Sequence, residues 1–127
     1  MKQTTGLTLM ILVWVAAAAS AAPRTCTTHP KKGATREELA AMAKVNRADA
    51  QKAALATLKD PSKAIVKSAE LEAERGCLLY SFDIAVAGMA GVQEIQIDAG
   101  NGKVLSNKHE TPKAEAAEKA KDKAKAN

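Results

Sequence analysis

In the ten residues "CLLYSFDIAV", Cys77 to Val86, every second side chain is large and apolar. Leu78, Tyr80, Phe82, Ile84 and Val86 share one face of an extended strand, while Leu79, Ser81, Asp83 and Ala85 take the other. Such alternation suits an antiparallel sheet with one face packed and one face polar. The stretch also holds the only tyrosine and the only phenylalanine of the chain. A ligand-stacking site would use the same rings, but their shared face makes them the heart of a small core.

What surrounds this strand can be read from period and punctuation. Upstream, "AIVKSAELEAE" alternates, with Ile65, Ala69, Leu71 and Ala73 expected on the core side and Ser68, Glu70, Glu72 and Glu74 opposite. Arg75-Gly76 is the intervening turn. Downstream, "AGMAG" turns the chain again. Ile95 and Ile97 then alternate against Glu94, Gln96 and Asp98, Gly100-Asn101-Gly102 forms another turn, and Val104-Leu105 begins a short closing strand. Before the strands the period is helical. Thr35 with Glu38 has capping-box spacing ahead of Leu39, Met42 and Val45. Asn46 opens a second segment in which Ala50, Ala54, Leu55 and Leu58 form one stripe, closed by Asp60-Pro61. The expected fold is therefore α+β: one main helix, with a short preceding helix, on a three- to four-stranded antiparallel sheet.

The chain opens with Lys2, an apolar run from Leu7 to Ala19, and the small-x-small site Ala19-Ser20-Ala21. This is signal-peptide grammar, with cleavage after Ala21, and the run is shorter than the roughly 20 residues a membrane span needs. Residues 22–44 are then an arm and short helix, 45–107 the folded domain, and 108–127 a charged tail rich in Ala, Lys and Glu. The expected location is periplasmic or secreted, with no stable membrane insertion after cleavage. The tail offers alanine where burial needs large side chains, so a frayed helix or disorder is expected there, with Pro112 able to start a helix.

Charge and composition narrow the function. Lys+Arg exceed Asp+Glu by 19 to 14, a formal +5 that falls to +4 without Lys2. Much of that excess lies in the tail, and base stacking needs more rings than this chain has. Nucleic acid is not an expected partner. Neither a Gly-x-Ser-x-Gly, a His-Glu-x-x-His nor a phosphate loop occurs, so no catalytic residue is assigned and no cofactor is expected.

Cys26 and Cys77, in an exported chain, most simply pair as one disulfide. Free thiols or an intermolecular bridge are the alternatives. A rival chemistry is a metal or redox site using Cys26, His29 and Cys77, with His109 as a further donor. However, a single Cys-x-x-His is a weak metal signature. The polar strand face, with Glu70, Glu72, Ser81 and Asp83, is the candidate binding surface for a cation or basic peptide; its bland alternative is a solvated face balanced by Lys67 and Arg75.

From Val45 to Leu105 the order of pieces resembles the PepSY domain family. The features that carry this resemblance are "VNRADAQKAALATL" as the helix, "ELEAERGCLLYSFDI" as the first hairpin and "EIQIDAGNGKVL" as the closing strand, turn and strand. The resemblance implies a noncatalytic binding module that regulates or inhibits an extracytoplasmic peptidase or acts on another envelope protein. No peptidase domain accompanies it, so the implied peptidase would belong to another protein. Cys77 departs from the family, whose members commonly carry a polar residue after the turn glycine.

Overall fold

The computed structural model describes residues 25–126, so the expected signal peptide, residues 1–21, lies outside the described residues. Two short helices come first, α1 (Arg36–Met42) and α2 (Arg47–Leu55). Four strands follow, β1 (Ala64–Glu74), β2 (Cys77–Val86), β3 (Val92–Asp98) and β4 (Val104–Glu110), and then α3 (Pro112–Ala126). The strands form one antiparallel meander in the order β1-β2-β3-β4, and the α+β architecture is as expected.

Local chemistry explains the helix boundaries. Thr35 Oγ1 accepts from the Glu38 amide, and Glu38 accepts from the Thr35 amide at 2.8 Å, completing the capping box of α1. Asn46 caps α2 through the Asp49 amide at 2.9 Å, so the chain breaks into two helices there. The α2 helix stops at Leu55, earlier than Asp60-Pro61 suggests. The Thr57 hydroxyl and amide both bond the Ala54 carbonyl, which tightens the last turn.

One face of the sheet carries the core. Phe82 is 0 % and Tyr80 5 % exposed, and both cluster with Leu78, Ile84, Ile95 and Ile97 beneath Leu39, Ala50 and Ala54. The two rings stack at 6.3 Å with their planes 26° apart. Small alanines on α2 let the helix sit close above them, while Leu55 and Leu58 pack at the margin. The Tyr80 hydroxyl donates to the Val45 carbonyl at 2.8 Å, which satisfies its polar end and ties the α1–α2 junction to the sheet.

The structure corrects the phase of β1. A β-bulge lies between Val66, paired with Ile84, and Ser68, paired with Asp83. Lys67 is the extra residue, and inserting one residue inverts the side-chain alternation on either side of it. Ala64 and Val66, not Ile65, therefore pack on the core together with Ala69 and Leu71. Ile65 turns outward and is 66 % exposed, and Ala73, at the end of the strand, is exposed too.

Between β1 and β2, Arg75 (φ 51) and Gly76 (φ 78) both adopt left-handed backbone. A two-residue turn with both φ values positive matches the twist of the strands it joins. The closing strand β4 runs to Glu110, well past its apolar start at Val104-Leu105, because pairing with β3 uses backbone groups as far as Val92↔Glu110. Beyond it, the tail is helical. Thr111 Oγ1 accepts from the Ala114 amide, Pro112 takes the first helical position, and α3 packs on the polar side of the sheet.

Candidate functional site

The N-terminal arm is held to the sheet by a disulfide and by hydrogen bonds. Cys26 and Cys77 form a disulfide. The Leu78 amide donates to the Thr28 carbonyl at 2.9 Å. Asp98 accepts from the Thr27 amide at 2.8 Å and from the Thr27 hydroxyl at 2.7 Å. Sequence reasoning assigned Asp98 to the open polar face, yet it is only 1 % exposed. It also accepts from the Gly100 and Asn101 amides in the turn after β3. Burial pushes its carboxyl up, but these hydrogen bonds outweigh burial and hold it below its ordinary value of 3.8. The signal that could have revealed it is the Asp-x-Gly-Asn spacing, an Asx-type turn.

Removing Asp98 would orphan donors on two segments at once. Asp98→Ala should cost about 2–3 kcal/mol, the penalty for buried donors left without a charged acceptor. Urea melts would measure it, and a midpoint unchanged from the parent would refute the staple. Because the folded carboxyl is depressed, its stabilisation is present above 3.8 and is lost as pH falls through the lower folded value.

Leu79 points away from the main core but is fully buried. By register it lies between Glu72 and Asp98, on the side the arm crosses. Cys26, His29 and Cys77 do come together, with donor atoms within 4.8 Å of one another. The two sulfurs are bonded to each other, however, so neither is a thiolate ligand. His29 Nδ1–H donates to the Gly76 carbonyl at 2.9 Å. His109 stands apart from this group and donates from Nε2 to the Ala90 carbonyl at 2.6 Å.

The four residues expected to form a binding surface share one face. Glu70 pairs with Ser81, Ser68 with Asp83, and Asp83 with Glu94 across β1, β2 and β3. Ser68 donates to Asp83 at 2.9 Å, and Gln96 donates to Glu74 at 2.6 Å. Together with Glu72 and Glu110 these groups line a groove of about 290 Å³, whose other wall is α3 through Glu118, Lys119, Asp122 and Lys125. The strand alternation made the sheet half of this groove legible. Pro112 marked a possible helix start in the tail, but no apolar stripe there announced that the helix would form a wall of the groove.

Crowding of like charges perturbs the groove. Burial, then Glu74 and Glu70, raise Glu72 to about 7. Burial also raises Glu94, Glu110 and Glu118. The oxygens of these three lie within 4.8 Å of one another. Glu110 further raises Glu118, and Glu94 further raises Glu110. A carboxyl can donate to a carboxylate only while it keeps its proton.

A second concavity, about 640 Å³, lies between α1 and the edge strand β1, lined by Arg36, Leu39, Arg47, Leu71 and Tyr80 among others. Among the described residues no helix is long and apolar enough to cross a membrane. With the geometry in view, comparison with known proteins adds no relative: no family model, no curated protein and no solved structure matches the chain.

Proposed function

We propose that the chain is a noncatalytic binding module of the periplasm or extracellular space, whose acidic sheet face takes a lysine-bearing segment of a partner protein. The observation that carries this reading is the composition of the groove. Carboxylates from four strands converge on one side, and the groove's opposite wall is a helix presenting Lys119 and Lys125 to them. A basic helix seated on an acidic face is a pattern for what else could sit there. Electrostatic complementarity of this kind selects partners and speeds encounter.

The resemblance to the PepSY family supports the same class of function and suggests an extracytoplasmic peptidase, or another envelope protein, as the partner. The export signal read in residues 1–21 and the disulfide fit an oxidising compartment. The groove brings together carboxylates, hydroxyls and amides without a nucleophile–base pair, which favours binding over catalysis.

Calorimetric titration with an oligolysine peptide tests the surface. Binding should weaken steeply with added salt. The double variant Glu70→Gln/Asp83→Asn should lose about tenfold in affinity, equivalent to roughly 1.4 kcal/mol. Undetectable binding by the parent at low salt would dismiss the reading. The peptidase clause has its own check: the protein should slow peptide hydrolysis by a thermolysin-type metallopeptidase, and an unaltered rate would remove that clause alone.

A further inference from the structure

The C-terminal helix is a poor candidate for permanent attachment. Its residues are Ala, Lys, Glu and Asp after Pro112, so little apolar surface is available to bury. A free helix of its 15 residues is also marginal in water. What it presents to the sheet is one stripe at helical spacing: Glu118, Lys119, Asp122 and Lys125.

The opposing charges can be taken strand by strand. β1 contributes Glu70, Glu72 and Glu74, with Arg75 Nε 3.7 Å from Glu74 Oε1. β2 contributes Asp83, β3 contributes Glu94, and β4 contributes Glu110. Lys108 stands across from Glu94 in the β3–β4 register, outside the groove lining. Lys119 and Lys125 are attracted to this field, whereas Glu118 and Asp122 face carboxylates of their own sign. The repulsion is sharpest at one place, where carboxyl oxygens of Glu118, Glu110 and Glu94 lie within 4.8 Å of one another, a crowding that favours protons held among them.

We infer that α3 is a proton-dependent cover of the acidic face: it seats while protons are held along the series Glu118, Glu110 and Glu94, and it lifts when they leave, exposing the face to a basic partner. The regulatory meaning rests on the binding function proposed above, but the motion of the helix does not. The sign follows from linkage. The seated form keeps protons on carboxyls whose values are raised, whereas the lifted form returns them towards ordinary glutamate behaviour, so the seated form binds more protons. Raising the pH above the ordinary 4.5 of these carboxyls therefore favours lifting.

Amide hydrogen exchange of the full protein, expressed as protection factors so that the intrinsic pH dependence of exchange cancels, reads the seat directly. Protection within α3 should fall about tenfold between about pH 5 and about pH 8. Glu118→Gln retains a donor towards Glu110 but has no proton to lose, so its α3 should stay protected at both pH values. Equal protection of the parent at the two pH values would overturn the cover, and so would a Glu118→Gln variant that follows the parent's pH response. Oligolysine titration at the higher pH separates the cover from its use. Weaker binding to Glu118→Gln than to the parent supports both. A helix that lifts over a face to which oligolysine does not bind leaves the cover standing and defeats the proposed binding function.

Discussion

Phe82→Ala should destabilise the protein by about 3–5 kcal/mol, the usual range for removing a large buried ring. Phe82 is fully buried, its cross-strand neighbours are Ala69 and Ile95, and its ring stacks with that of Tyr80. Two terms add: the transfer free energy of the lost ring, and the cavity left where small alanines on α2 cannot close inward. For a domain of this size, total stability is on the order of 5–15 kcal/mol, so the variant stands near the limit of folding. Urea melts should show a lower midpoint with an unchanged slope. Phe82→Leu, which retains much of the volume, should lose less and keeps the experiment readable if the alanine variant fails to fold. A loss below about 1 kcal/mol for the alanine variant would contradict the packing of the ring beneath α2.

Breaking the Cys26–Cys77 bridge should cost about 4 kcal/mol by the chain-entropy model. The two cysteines are 51 residues apart, and the loop they close contains both short helices and the whole of β1. Freed of that constraint, the unfolded chain gains conformations that the native state does not, so the effect acts mainly on the unfolded state. Denaturation with and without reductant, alongside Cys26→Ser/Cys77→Ser, would measure it. The melting temperature should drop by roughly 15–30 °C at the usual conversion for small domains. A drop of a few degrees would mean that the unfolded chain is already compact around this loop. Thr27 and Thr28 should remain near Asp98 and Leu78 in the reduced fold, since those hydrogen bonds do not depend on the sulfurs.

Much of the architecture was legible because it is written at short range. Thr35 with Glu38 and Asn46 with Asp49 announce helix starts, since a cap joins residues three apart. The apolar alternation along β2 survives into the structure because no bulge interrupts it. The same reasoning misplaced Ile65 on β1, where Lys67 adds a residue. That insertion leaves no compositional trace, because Ala64, Ile65 and Val66 could each fill a core position.

The candidate site divides in the same way. Glu70, Glu72, Ser81 and Asp83 fall on one face by parity alone, and register then brings Glu94 and Gln96 beside them. Asp98 has the same parity, yet the arm covers it and converts an apparent surface carboxylate into a buried acceptor. The tail had no apolar stripe to predict a docking face, and its seat depends on carboxyls donated by distant strands.

Residue order was therefore enough for the helix starts, the hairpin turns and the ring-bearing core strand, because each depends on spacing along the chain, while the cysteine bridge, the simplest of several readings, was decided by the arm lying against β2. The phase of β1, the burial of Asp98 and the helical wall over the acidic groove emerged when strands and arm met in space. Burial, and the protonation that follows from it, depend on neighbours that no local pattern names.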